Sequence, residues 1–146
     1  MAKSPTAELD EPRRQIAALP WRIVDGRLEV CLVTTRETHR WTIPKGWPIK
    51  RLTARAAART EAEEEAGVTG KVGKTPIGAF TYWKRMSDRF HFVRVEVYAL
   101  KVERQLETFK ESTQRDVRWM TPNDAALMVE EPDLAGLLAT FAPELG

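Results

Sequence analysis

GWPIKRLTARAAARTEAEEEAGV, residues 46–68, decides the fold of this chain. Residues 54–66 predict a helix, with Thr53 placed to cap its start and Gly67 to close its end. Ala54, Ala58 and Ala62 share one stripe, which lets the helix sit close against a sheet. The helix then breaks a local rule. Its last turn carries the negative end of the macrodipole, yet it holds Glu63, Glu64 and Glu65 in a row. Glu61 and Glu65 are a like-charge i,i+4 pair, which costs roughly 0.2–0.5 kcal/mol before compensation. A chain that keeps such a conflict has a use for it. The simplest compensation is a hard divalent cation held by carboxylate oxygens.

Outward from this segment the order is mixed α/β. Upstream, 15–24 and 28–35 have strand character and flank Asp25-Gly26, a strong two-residue hairpin signal. Residues 41–43 predict a short strand stopped by Pro44-Lys45-Gly46. Downstream, 72–84 and 90–102 predict two strands joined by a turn at 86–89. In the second, Val93, Val95, Val97 and Ala99 face a core, while Phe92, Arg94, Glu96 and Tyr98 take the other face. Residues 105–114 read as a mobile polar loop and 116–120 as a short strand. Thr121-Pro122 is a capped helix start, and Leu134, Leu137, Leu138 and Phe141 predict a closing amphipathic helix. Residues 1–12, polar with two prolines, read as a flexible tail, leaving 13–146 as a single domain.

Composition narrows the function classes. With 23 basic and 21 acidic residues the formal charge is +2, which argues against a nucleic-acid coat. Bases gather at 36–55 and 84–94, on either side of the acidic run. The single Cys31, between Val30 and Leu32, predicts a buried strand residue in a reducing compartment. No apolar run approaches the roughly 18–20 residues that span a membrane, and Met1 to Arg14 lacks a signal peptide's hydrophobic core. The expectation is a cytoplasmic domain without a membrane partner.

Gly46 through Val68 resembles the signature of the Nudix hydrolases, G-x5-E-x7-R-E-U-x-E-E-x-G-U with U aliphatic. Gly46, Glu61, Glu64, Glu65, Gly67 and Val68 match in register, and Ala62 is a small stand-in at the first aliphatic place. Within the family, WTIPKG at 41–46 is similar to the diadenosine polyphosphate hydrolases, and VRWMTPNDA at 117–125 to the diphosphoinositol polyphosphate phosphohydrolases. The resemblance implies an α/β/α sandwich around a mixed β-sheet. It implies hydrolysis of a diphosphate linkage in a small anionic polyphosphate, with Mg²⁺ or Mn²⁺ as cofactor. Glu61, Glu65 and the Gly46 carbonyl would hold the metal. Glu64 would be a further ligand or the base that activates water, so Glu61 and Glu64 carry the catalytic role.

Other residues keep two readings. Glu96 is a fourth acidic metal ligand or the partner of Arg94 within the sheet. Lys45, Lys84 and Arg94 would grip the polyphosphate or serve as surface charges, and His91 would touch substrate or be structural. Trp47 and Trp83 would stack on a base or pack the core. Two positions depart from the signature, whose first Glu is Leu52 and whose Arg is Thr60. By the resemblance the signature's two side chains pair and brace the loop against the helix, and losing both is coherent if an apolar or hydroxyl contact replaces the pair. The alternative is a catalytically weak or inactive module that binds a nucleotide. Monomer and homodimer are both compatible with the chain, and a nucleic-acid partner is not expected.

Overall fold

The computed structural model describes residues 12–144, so the tail expected over 1–12 lies almost wholly outside the described residues. Strands β1 (Arg13–Val24) and β2 (Arg27–Thr34) form the expected hairpin. Asp25 and Gly26 both have positive φ, 51° and 76°, as a type I′ turn requires. Strand β3 (Trp41–Thr42) pairs with β2. The expected stop after it is itself a strand: β4 (Lys45–Gly46) lies antiparallel to β1 at Ala17 and Ile16. Pro44 fits beside it because only its carbonyl is needed, accepting from the Ala18 N–H at 3.0 Å.

Helix α1 (Ala54–Ala66) has the predicted bounds and caps. The Thr53 hydroxyl accepts from the Ala56 N–H, and Gly67 turns left-handed at φ 68° to satisfy the carbonyls of Ala62 and Glu63. A Cβ at Gly67 would overlap the Phe109 ring. Gly67→Ala is therefore expected to cost about 1–2 kcal/mol in backbone strain alone. Displacing the ring adds to this, and a lower urea midpoint with an unchanged slope would report it.

The single strand expected over 72–84 is two, β5 (Val68–Val72) and β6 (Gly78–Arg85). β5 begins directly after the helix cap and shifts register at Thr69/Gly70, which hides its alternation. Strand β7 (Phe90–Gln105) runs three residues past its expected end, and β8 (Val117–Met120) closes on β2. The capped start at Thr121-Pro122 opens α2 (Pro122–Met128), and the closing amphipathic helix is α3 (Pro132–Ala139). Phe141, expected on that helix, lies beyond it and meets Trp21 edge-on with ring centroids 6.5 Å apart.

The sheet is mixed. β1 runs parallel to β7 from Arg13↔Val93 to Trp21↔Lys101, and the other pairings are antiparallel. On one face Ile16, Ala18, Val33, Tyr98 and Leu100 pack against Ala57, Ala58, Ala62 and Ala66 of α1. On the other, Leu19, Leu32, Phe80, Val93 and Val95 pack against Ala125, Leu134 and Leu138 of α2 and α3. This is the expected α/β/α sandwich. The alanine face brings the α1 backbone close to the sheet and so holds its carboxylates near β4. Cys31 is fully buried, and burial pushes its thiol up to about 12. No helix of the described residues is long and apolar enough to cross a membrane.

Candidate functional site

The acidic end of α1 lies over β4, and the two meet at the floor of a cleft of 1140 Å³. Glu65 is only 4% exposed, and its Oε1 accepts from the Lys45 backbone N–H at 3.3 Å. Glu61 lies against the Gly46 backbone so closely that a Cβ there would overlap its carboxylate. Glycine at 46 is thus a requirement of close approach. Glu61 and Glu65 are within hydrogen-bonding reach of each other. Burial raises both carboxyls, Glu65 to about 8. A buried and a half-buried carboxylate in contact are relieved by a shared proton or by a cation between them. The donors here, two carboxylates beside the Gly46 backbone, are hard oxygens of the kind magnesium and manganese take.

The helix end is held by a strap that the sequence reads only as a polar loop. Leu106 donates its N–H to the Gly67 carbonyl at 2.7 Å, and Glu111 donates its N–H to the Glu64 carbonyl at 2.9 Å. The Gln105 amide, at the end of β7, donates to the Ala66 and Gly67 carbonyls at 3.0 and 3.1 Å. These donors answer the carbonyls of a last turn that has no basic residue of its own. The strap also delivers Arg115, whose side chain is 11% exposed. Its guanidinium lies 3.7 Å from Glu65, bonds Glu111 at 2.8 Å and donates to the Thr34 carbonyl at 2.8 Å.

The expected site residues divide into two groups. Gly46, Glu61, Glu64, Glu65, Lys45 and Lys84 line the cleft, as do Trp47 and Trp83. Glu64 turns toward Lys110, 3.4 Å away, and not onto its neighbours. Among the described residues no three acidic, His or Cys side chains converge as a ready ligand set. Glu64 thus stands alongside the contacting pair of Glu61 and Glu65. Lys45 sits with its ammonium 4.9 Å above the Tyr82 ring, and burial draws its pKa down to about 8.

Arg94, His91 and Glu96 do not line the cleft. Glu96 pairs with Arg14 from the parallel strand, with a second bond of 3.3 Å, and not with Arg94. That hydrogen-bonded guanidinium holds the Glu96 carboxyl below its usual range. Arg94 is exposed, and His91 is tucked 3.8 Å from Asp88 across the hairpin turn. Sequence reading passed over Gln15, Tyr82, Glu131 and the strap residues Lys110, Glu111 and Arg115, all cleft-lining. Tyr82 donates to Gln15 Oε1 at 2.6 Å from a neighbouring part of the sheet, a contact with no local signature.

The two departures from the signature do not replace its brace. Leu52 is 43% exposed, and the Thr60 hydroxyl donates to the Ala56 carbonyl of its own helix at 3.0 Å. The guanidinium nearest the helical carboxylates is Arg115, from the other side of the cleft.

The profile of the NUDIX domain matches residues 13–141. Over 105 residues the chain is 34% identical to Nudix hydrolase 12, mitochondrial, of Arabidopsis thaliana, covering 68% of this chain and 51% of that protein. Over 105 residues it is 35% identical to human diphosphoinositol polyphosphate phosphohydrolase 3-beta, covering 70% of this chain and 60% of that protein. The chain thus spans between about half and three fifths of these relatives. Its fold matches a binary complex of C. elegans Ap4A hydrolase with a TM-score of 0.65 at 20% identity, covering 87% of this chain and 93% of that one.

Proposed function

This chain belongs to the Nudix family, and from that premise we propose that it hydrolyses a diphosphate linkage in a dinucleoside polyphosphate, with Mg²⁺ or Mn²⁺ as cofactor. The observation that carries the reading is the contact between the buried carboxyl of Glu65 and the half-buried carboxyl of Glu61 against Gly46. Glu61, Glu65 and the Gly46 carbonyl would hold the ion. Once bound it neutralises the diphosphate and lowers the pKa of the attacking water. Glu64 stands beside the pair, in the cleft, as the base that takes the proton from that water. Lys45 and Lys84 line the same cleft and receive the phosphate oxygens.

Charge and aromatic content support the nucleotide over an inositol polyphosphate. Of the cations lining the cleft, Arg36, Arg40, Lys110 and Arg115 already face carboxylates. Lys45, Lys84 and Arg85 have no ion-pair partner among the described residues, enough for a short phosphate chain with its metal. Trp47, Trp83 and Phe90 line the cleft while 36%, 61% and 59% exposed, and a nucleobase has the π face to use them. The buried, unpaired Cys31 suits the reducing cytoplasm.

Purified protein incubated with diadenosine tetraphosphate and, separately, a diphosphoinositol polyphosphate is expected to release product from the first, with Mg²⁺ or Mn²⁺, and to stop on chelation. Turnover of the inositol compound alone would overturn the substrate assignment. A second reading, a module that binds nucleotide without cleaving it, draws on the missing brace at Leu52 and Thr60. Tight binding with no product would favour it.

A further inference from the structure

Among the described residues two buried side-chain polar atoms have no hydrogen-bond partner, Thr42 Oγ1 and Glu131 Oε1, and both residues line the same cleft. Buried polar groups are ordinarily paired, so each orphan calls for a partner the protein itself does not supply. Glu131 is the more telling. It occupies the N-cap position of α3 but makes no side-chain capping bond, whereas Thr121 caps α2 in the ordinary way. Its side chain turns into the cleft instead and is 13% exposed. Thr42 is 4% exposed.

We infer that Glu131 and Thr42 form a recognition subsite for a nucleobase edge that presents an N–H donor beside an acceptor, such as the amino edge of adenine. This rests on the dinucleoside polyphosphate reading and extends it to base selection. An ionised carboxylate only accepts, and a hydroxyl both donates and accepts. Together they match an amine next to a ring nitrogen. A phosphate at this end would face the Glu131 carboxylate, which disfavours a uniformly phosphorylated ring. Neither oxygen is open to solvent, so a base edge reaches Glu131 only where the Arg40 arm paired with it gives way. Arg40 lies 3.7 Å from Glu131 but 2.9 Å from Glu130, so it keeps a partner when it swings. Trp41 and Tyr82 line the same cleft and offer aromatic walls for the ring.

The test compares diadenosine tetraphosphate with its bare-purine counterpart, which lacks the exocyclic amine. The wild-type chain is expected to favour the amine by about tenfold or more in kcat/KM, because the bare purine leaves the acceptor unpaired. In Glu131→Gln, Glu131→Ala and Thr42→Val the ratio should fall toward one, with the far-ultraviolet spectrum unchanged. Equal losses on both substrates would mean that these residues only hold the fold, with a water on the two oxygens, and would overturn the subsite. Titrating adenosine 5′-monophosphate and its bare-purine analogue in chelator, followed by NMR shifts, needs no turnover. A preference for the amine there, with no hydrolysis of diadenosine tetraphosphate, would keep the subsite and sink the proposed reaction. No preference would sink the subsite whatever the reaction.

Discussion

Replacing Glu65 by Gln is expected to lower kcat by at least about a hundredfold, the scale of a lost metal-ligand contribution of several kcal/mol. The change keeps the shape of a side chain that is 4% exposed, so circular dichroism should be unaltered. It removes one of the two carboxyls that now contend for a shared position, and it leaves Arg115 its bonds to Glu111 and the Thr34 carbonyl. Isothermal titration with Mn²⁺ gives an independent reading, with the heat of binding expected to vanish. Activity and manganese affinity both within twofold of the parent would rule out Glu65 as a ligand. Glu63, one position away from Glu64 but exposed, is the control that should change neither measurement.

Arg115→Met is expected to destabilise the fold by about 3–5 kcal/mol, the cost of breaking a buried ion pair from one side. Its guanidinium bonds Glu111 and the Thr34 carbonyl and faces Glu65, so two acceptors lose a donor and a third carboxyl loses its facing charge. Urea unfolding followed by tryptophan fluorescence measures the loss. In the double variant with Glu65→Gln the cost should be smaller than the sum, because one stranded charge has gone. Arg115→Lys keeps the charge without the planar fork and should fall in between. An additive double variant would mean that the 3.7 Å separation from Glu65 carries no energy.

Local signals explain what was legible. The hairpin at Asp25-Gly26, both ends of α1 and the alternation of β7 each rest on neighbours in sequence, and each is found where expected. Likewise Gly46, Glu61, Glu64 and Glu65 line the cleft, since helical spacing and one glycine corner define their arc. What escaped was set by distant partners. β5 has a bulge where Gly70 meets the Lys101 backbone, so its two-residue period is interrupted. Glu96 was read against its strand neighbour Arg94, but the parallel pairing puts Arg14 beside it from 82 residues away. Arg115 sits in a stretch with no periodicity, and only the strap's bonds to α1 carry it inside. Glu131 carries no local signal of its place in the cleft, and its disuse as a cap is visible only in three dimensions.

The parallel match of β1 with β7 has a consequence for how the chain is made. β1 is the central strand, and its parallel partner pairs through residues 93–101, so this edge stays open until that segment has been synthesised. Closing so long a loop is slow, because its entropy is lost before the contacts form. At about 5–20 residues per second a ribosome leaves the apolar Ile16–Leu19 segment without that neighbour for several seconds. A chaperone that shields such a segment during translation should raise the soluble yield more than one supplied after release.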